Sequence, residues 1–310
     1  MQTSMLVGYT GFVGSNIDAS HDFTWRINTK NNADAIGKEP DLLVFSGLRA
    51  EKFLANNDPK ADLARVREAL EQIKQIAPKK LVLISTVDVY PNPNQVDEDS
   101  EIDKEKLQAY GKNRYLLEQW VREYKEDALI IRLPGLFGKN IKKNFIYDYI
   151  HVIPSMLKEE KYQELASVNT VIASSYTDGG NGFYKCNLKN DNKEQEKELK
   201  KAFLQCGFSA LNFTDSRSVF QFYPLSRLWN DIQIALSKDI RILNIATQPV
   251  TISQVYEYLS GREFVNECAV TPAYYDYKSK YAAFFGGADG YFMTKEEVLT
   301  QIRQFVEDNK

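Results

Sequence analysis

Histidine is almost missing from this chain. His21 and His151 are the only two in 310 residues. That excludes a metal centre needing three or more imidazoles and leaves a Ser-His-Asp hydrolase without a supporting motif. Cysteine is scarce as well: Cys186, Cys206 and Cys268 stand apart, without metal-ligand spacing. An odd, sparse set reads as the reduced thiols of a cytoplasmic chain. No apolar run approaches the length of a membrane span. The first residues lack the basic and then apolar order of a secretion signal. Positive charge is not in surplus, since 39 Lys and Arg face 42 Asp and Glu for a formal net charge of −3. This argues against a nucleic-acid surface held by bulk charge. Internal repeats and low-complexity segments are absent too.

What is present is concentrated near the start. Met5-Leu6-Val7 is a short apolar run that stops at Gly8, and Gly11 and Gly14 follow at three-residue steps. A strand that ends in spaced glycines and then opens a helix is the shape of a dinucleotide-binding turn. Gly8 lets the chain turn tightly, Gly11 lets the backbone approach a pyrophosphate, and Gly14 lets the helix pack on the sheet. The N–H groups at the helix start hold the phosphate charge. A plain strand-to-helix turn is the competing reading.

The helix after the turn is predicted over 12–19 and a second strand over 21–27, ending in Asn28-Thr29-Lys30. No acid stands there to bond an adenosine ribose, and Arg26 and Lys30 are near. That leans towards NADP over NAD, with a solvated loop equally open. Residues 31–39 leave room for only an abbreviated crossover. The run 42–46 reads as a buried parallel strand, followed by Gly47-Leu48 where ligands bind in such sheets. Asp58 and Pro59 cap and open a helix whose Leu63, Val66, Leu70 and Ile73 form a core-facing stripe. Strand 81–84 leads into Ser85-Thr86-Val87-Asp88-Val89-Tyr90-Pro91. A helix then carries Tyr110 and Arg114 on one face, four residues apart. Strand 128–133 ends at Pro134-Gly135.

This alternation predicts an α/β protein with a Rossmann-type doubly wound parallel sheet over 1–138. Residues 139–310 read as a smaller C-terminal mixed α/β substrate lobe, some of whose segments return to the sheet. There 190–201 reads as a charged helix face, 218–223 as a strand, and Ser226 as the cap of the next helix. Further elements are a strand at 241–245, a helix at 252–260 ending at Gly261, and a last helix at 295–308. The run 286–291 reads first as a packed turn and second as a ligand loop.

Together these pieces resemble the extended short-chain dehydrogenase/reductase family of NAD(P)-dependent sugar-nucleotide epimerases, dehydratases and reductases. The family shows T-G-x-x-G-x-x-G, with Val7 here in place of the threonine. It shows S-[ST]-x-x-V-Y-G, matched from Ser85 to Tyr90. It shows Y-G-x-[ST]-K, where this chain has Tyr110 and Gly111, then Asn113 for the hydroxyl residue and Arg114 for the lysine. Arg132 to Gly138 and Asn244 to Thr251 look like its later segments. The likeness weakens between 157 and 213, which looks like an insertion.

The resemblance implies a set of roles. Tyr110 exchanges a proton with the substrate oxygen, Arg114 lowers its pKa by charge, and Thr86 polarises that oxygen. Gly8, Thr10, Gly11, Phe12, Val13 and Gly14 hold the cofactor phosphates, and Asn28, Thr29 and Lys30 its ribose. Ser46, Gly47, Leu48, Leu133 and Pro134 line its path along the strand ends. Asp88, Lys143, Asn144, Arg217 and Tyr223 are candidate contacts to a sugar or sugar nucleotide. Gly135 stands where the family often has asparagine, which removes a polar contact. The family also implies helix pairing into a homodimer. Reduction and epimerisation both remain open, and dehydration is disfavoured because Val87 separates Thr86 from Asp88. Arg114 keeps alive a second reading, a non-catalytic dinucleotide-binding regulatory or scaffold protein.

Overall fold

The computed structural model describes residues 3–180, 182–188 and 192–309. Asn190 and Asp191, the start of the expected charged run, lie outside the described residues. The chain divides into two compact units. The first comprises Met1–Ile141, Val219–Val250 and Ala273–Ile302.

Its centre is a six-stranded parallel sheet. In chain order come β1 (Ser4–Val7), helix α1 (Phe12–Asp18), β2 (Trp25–Ile27), β3 (Leu42–Phe45), α2 (Lys52–Asn57), α3 (Pro59–Ile76), β4 (Lys80–Thr86), α4 (Ala109–Tyr124) and β5 (Leu129–Leu133). The spatial order is β2, β1, β3, β4, β5 and then Ile242–Asn244, a strand from far along the chain. The chain leaves β1 towards β2 and then crosses to β3 on its other side. The switch point therefore lies between β1 and β3, where open α/β sheets bind ligands at the carboxyl ends of the strands. Between β2 and β3 runs only a short 3₁₀ turn, Asn32–Ala35.

The strands are continuous apolar runs because both faces are covered. Met5, Leu43, Phe45, Leu81, Leu83 and Ile130 pack with Val66, Leu70, Ile73 and Ile76 of α3, and with Leu117 and Val121 of α4. Each large side chain fully buried there contributes roughly 1.5–3 kcal/mol. Helix α3 starts where local chemistry dictates: the Asp58 carboxylate accepts from the Ala61 N–H at 3.0 Å, and Pro59 occupies the first turn. It ends at Ala77 in the left-handed region, φ 53°. Two ion pairs are buried inside this unit, Arg114 with Asp62 and Arg132 with Glu118.

Some expectations are corrected. The strand expected over 218–223 is two, Val219–Phe220 and Phe222–Pro224. Gln221 between them turns inward, donating to the Thr247 and Tyr277 carbonyls at 2.6 and 2.9 Å. Ser226 is not a helix cap: it lies within the 3₁₀ turn Leu225–Arg227, and Arg227 precedes the helix Leu228–Ser237. The 286–291 run is a packed turn closed by paired backbone bonds between Ala288 and Tyr291.

The second unit comprises Lys142–Ser218, Thr251–Pro272 and Arg303–Lys310. It holds an antiparallel sheet of Met156–Lys158, Phe183–Cys186 and Tyr176–Asp178, with Phe183–Cys186 central. Helices Glu159–Val168, Thr170–Ser174 and Lys193–Gln205 cover it, enclosing Leu157, Leu165, Ile172, Leu199 and Phe203. The insertion thus has its own core. Helix Ile252–Ser260 is capped by Thr251, with Gln254 completing the capping box, and ends at Gly261. Among the described residues no helix is long and apolar enough to cross a membrane.

One carboxylate in this unit sets a pH dependence. Burial lifts Asp148 from its ordinary value to about 7. The folded state therefore holds a proton that the unfolded chain releases near pH 4, and stability falls as pH rises from about 4 to about 7. Asp148→Asn removes that fall. We expect it to stabilise the protein by up to about 4 kcal/mol at pH 8 and by little at pH 4, read as melting temperatures at the two pH values.

Candidate functional site

The glycine turn sits at the end of β1, at the switch point. Gly8 has φ +90°, and a Cβ there would meet the Ser46 carbonyl oxygen at 2.6 Å. Ser46 in turn donates from its hydroxyl to the Val7 carbonyl at 2.9 Å. Gly14 is pressed against the turn, since a Cβ would lie 2.1 Å from the Gly8 oxygen. Gly11 differs, because its Cβ would meet only the Gly8 oxygen, at 3.2 Å. Gly11 is also the N-cap of α1, without a side chain to satisfy the N–H groups beyond it. Thr10, Phe12 and Val13 complete this backbone. The N–H groups at the start of α1 have no side-chain cap, and a turn of this kind would suit the phosphates of a dinucleotide.

At the end of β2 the expectation changes in part. The Arg26 guanidinium points back to α1, bonding Asp18 at 2.6 Å and Asp22 at 2.9 Å. It is therefore withdrawn from any 2′-phosphate. Asn28 shapes the loop, its side-chain oxygen accepting from the Lys30 N–H at 2.8 Å and its amide donating to the Tyr9 hydroxyl at 3.2 Å. Lys30 is exposed, as is Thr29. Leu133 is buried at the end of β5, opposite Thr86 in the sheet register, and half-buried Pro134 follows it. Gly47 and partly buried Leu48 follow β3.

Tyr110 lies one residue into α4. Its backbone N–H donates to Asn56 on α2 at 2.9 Å. Gly111 beside it has no room for a side chain, because a Cβ would lie 2.0 Å from the Asp88 carbonyl oxygen. The chain after β4 is thereby held against the start of α4. The Asp88 N–H donates to the Thr86 hydroxyl at 3.2 Å. Burial pushes the Tyr110 phenol above its ordinary value. Arg114 and, more weakly, Lys52 and the Thr86 hydroxyl pull it down, while Asp88 pushes it up. The structure therefore brings Thr86, Asp88 and Tyr110 together.

Arg114 acts on Tyr110 in the expected direction, as the strongest of the charges that pull the phenol down. Its guanidinium lies over the Tyr110 ring, 4.4 Å from the centroid. It is bound to Asp62 at 2.6 Å and to the Arg49 carbonyl at 2.9 Å. Asn113 donates to the same carboxylate at 2.8 Å. The net effect on Tyr110 is a raised phenol, because burial outweighs the pull of Arg114. Three residues near the site were missed in the sequence: Lys52, Asp62 and Tyr275. Lys52 donates to Asp88 at 2.8 Å, and the Tyr275 hydroxyl donates to the same oxygen at 2.9 Å. Asp62 carried a signal, since it lies four residues before Val66 on the buried face of α3. Lys52 and Tyr275 carried none.

Two proposed substrate contacts are corrected. Tyr223 is fully buried and donates to Asp231 at 2.6 Å. Arg217 is bound by Asp215 through two bonds of 3.0 and 2.8 Å, by Glu267 at 3.0 Å and by the Ala269 carbonyl at 2.8 Å. Its charge is already matched by carboxylates. In the second unit the Asn144 side-chain oxygen caps the helix Phe145–His151, accepting from Ile146 and Tyr147. Lys143 is exposed.

Residues 24–175 match the profile of the NAD dependent epimerase/dehydratase family. The match begins after the glycine turn and takes in Ser85–Pro91, Tyr110 and Arg114. No protein of curated function matches the sequence. Among solved structures, RMD from Pseudomonas aeruginosa complexed with NADPH is similar, with TM-score 0.63 and 14% identity over 99% of this chain and 100% of that one. UDP-N-acetylglucosamine 4-epimerase from Methanobrevibacter ruminantium M1, in complex with UDP-N-acetylmuramic acid, gives 0.65 and 13% over 99% and 97%. A dTDP-4-dehydrorhamnose reductase from Bacillus anthracis with NADP gives 0.62 and 13% over 99% and 98%. At these identities the likeness is one of fold, a Rossmann-type parallel sheet with flanking helices.

Proposed function

We propose that this protein is an NADP(H)-dependent reductase or epimerase of a sugar nucleotide, with Tyr110 exchanging the proton at the substrate oxygen. One observation carries the reading. A glycine turn at the carboxyl end of β1 and, one strand beyond β3, Thr86 at the carboxyl end of β4 with Tyr110 of α4 beside it stand at the edge of the sheet where this topology binds ligands. The family profile matched by residues 24–175 and the nicotinamide cofactors in two similar structures support it.

A bound dinucleotide would supply or accept the hydride. Gly8, Thr10, Gly11, Phe12 and Val13 would hold its phosphates, and Asn28, Thr29 and Lys30 the adenosine ribose. Lys30, the exposed cation there, supports NADP over NAD. Tyr110 is protonated at neutral pH, as an ordinary phenol already is, and burial moves its ionisation further up. It therefore acts as proton donor, which suits reduction of a carbonyl. The sign follows: the reductive rate is flat around neutrality and falls as pH climbs through the raised phenol pKa, while the oxidative rate rises there.

The test is a fluorescence titration with NADPH and NADH, then turnover assays with dTDP-4-dehydrorhamnose and UDP-N-acetylglucosamine. Tyr110→Phe is expected to keep NADPH affinity and to lose turnover by a factor of about 100 or more. Absence of binding to either nucleotide overturns the proposal. The second reading, a non-catalytic dinucleotide-binding protein, is favoured by one observation: Tyr110 is only 6% exposed. Tight NADPH binding without turnover on any sugar nucleotide would select it.

A further inference from the structure

Thr86 and Tyr110 belong to different elements: Thr86 ends β4, and Tyr110 stands in the first turn of α4. Their mutual placement therefore depends on what ties that strand to that helix. One tie is a backbone contact, the Asp88 carbonyl against Gly111. The polar ties converge on Glu118. This carboxylate lies on the same helix as Tyr110, about two turns further on, and is buried.

Ser85, the residue before Thr86, donates from its hydroxyl to Glu118 at 2.5 Å. Tyr90 follows the 3₁₀ turn Val87–Val89, whose N-cap is Thr86 itself. The Tyr90 hydroxyl accepts from Arg132 Nη1 at 2.7 Å, and Arg132 bonds Glu118 through Nε and Nη2. Arg132 also stands opposite Ser85 in the parallel register of β4 and β5. The chain on both sides of Thr86 is thus fastened to the helix that carries Tyr110, directly through Ser85 and by way of a guanidinium through Tyr90. Tyr90 is held from other directions too. Its hydroxyl donates to the Asp97 carbonyl at 2.7 Å and accepts from the Asn244 amide at 3.0 Å.

A buried ion pair is a poor way to gain stability, because apolar side chains of similar volume do as well. Its distinctive property is direction. A guanidinium bonds its acceptors in a fixed planar fork, so a slipped or rotated neighbour loses the bond. We infer that the Glu118–Arg132 pair, acting through Ser85 and Tyr90, is the positioning unit that sets the Thr86 hydroxyl against Tyr110. The inference rests on the role of Tyr110 proposed above and names what keeps its neighbour in place. Thr86 needs such a frame, since its hydroxyl caps the 3₁₀ turn by accepting from the Asp88 N–H at 3.2 Å. A turn that shifts carries the hydroxyl with it.

The first reading of the experiment needs neither substrate nor cofactor. 3-Fluorotyrosine is placed at position 110 alone, and the ¹⁹F resonance of the full chain is recorded at neutral pH. Thr86→Val removes the hydroxyl and defines the displacement that its loss produces. Ser85→Ala and Tyr90→Phe are each expected to move the resonance in that direction. Ser85→Thr, which keeps the hydroxyl, should leave it at the parent position. Tyr223→Phe controls for stability alone: it takes a buried hydroxyl from Asp231 in the same unit, and should lower the melting temperature without moving the resonance. Circular dichroism checks folding, and Ser85→Ala decides if Tyr90→Phe does not fold. A resonance unmoved by Ser85→Ala overturns the inference, as does one that Tyr223→Phe moves equally. In turnover, Ser85→Ala is expected to lower kcat about tenfold or more with KM and NADPH affinity unchanged, and Ser85→Thr to restore it. An unchanged kcat also overturns the inference. If the parent protein turns over no sugar nucleotide, the proposed function falls, and the resonance alone decides the positioning.

Discussion

Glu118→Ala is expected to lower the stability of the protein by about 3–5 kcal/mol. The reason is the cation it would abandon. The Arg132 guanidinium bonds Glu118 through Nε at 3.2 and 3.1 Å and through Nη2 at 2.6 Å. The two side chains are 3% and 1% exposed. Removing the carboxylate leaves a charge that cannot be shed, because arginine does not deprotonate in proteins. Among the described residues only the Tyr90 hydroxyl, accepting from Nη1 at 2.7 Å, would still bond it. Ser85, which donates to Glu118 at 2.5 Å, would lose its acceptor as well. The network also fixes a sheet edge, since Asn244 donates to Tyr90 at 3.0 Å. Urea denaturation should show a lower midpoint at unchanged slope. Replacing the pair together, as Glu118→Leu with Arg132→Met, should recover most of the loss, because apolar groups of similar volume carry no desolvation penalty. A single-variant loss below about 1 kcal/mol would mean that water reaches Arg132.

Such buried pairs mark the limit of what the chain states about itself. Local signals were legible. The Asp58-Pro59 start of α3, the helix Ile252–Ser260 ending at Gly261, and the helix Lys295–Asp308 form where they were expected, because caps and apolar periodicity act within one turn. The glycine turn was legible for the same reason. The partners of the charges were not. Arg114 meets Asp62 across 52 positions, and Lys52 meets Asp88 across 36. Nothing local tells a cation facing a ligand from one already matched by a carboxylate. Arg217 and Arg26 have carboxylate partners only two and four residues away, Asp215 and Asp22, yet sequence does not tell whether such neighbours pair or leave the cation to a ligand. Tyr223 was misjudged because a hydroxyl that reaches a buried Asp231 looks, in sequence, like one that reaches solvent. The second unit was hardest: its strands are three or four residues long, too short to display a period of two.

Gly14→Ala is the other large expected effect, and it separates the turn's two functions. The new methyl would sit 2.1 Å from the Gly8 oxygen, 2.7 Å from its carbon and 2.9 Å from the Ser46 hydroxyl. Two of these three atoms are backbone, so no side chain can swing aside. Helix α1 would have to lift off β1, or the turn would have to open. Overpacking of this depth belongs at or above the top of the usual range, about 3 kcal/mol. NADPH binding should vanish with it, because the N–H groups at the start of α1 move with the helix. Gly11→Ala is the contrast. Its φ of −77° suits alanine, and its methyl meets only one atom, at 3.2 Å. Stability should change by less than about 1 kcal/mol, yet the methyl stands where a phosphate would approach the backbone. Gly11→Ala should therefore keep the melting temperature and lose NADPH affinity, whereas Gly14→Ala loses both. If Gly11→Ala binds NADPH as tightly as the parent, the turn is a packing device between β1 and α1, and its place at the switch point says nothing about cofactor.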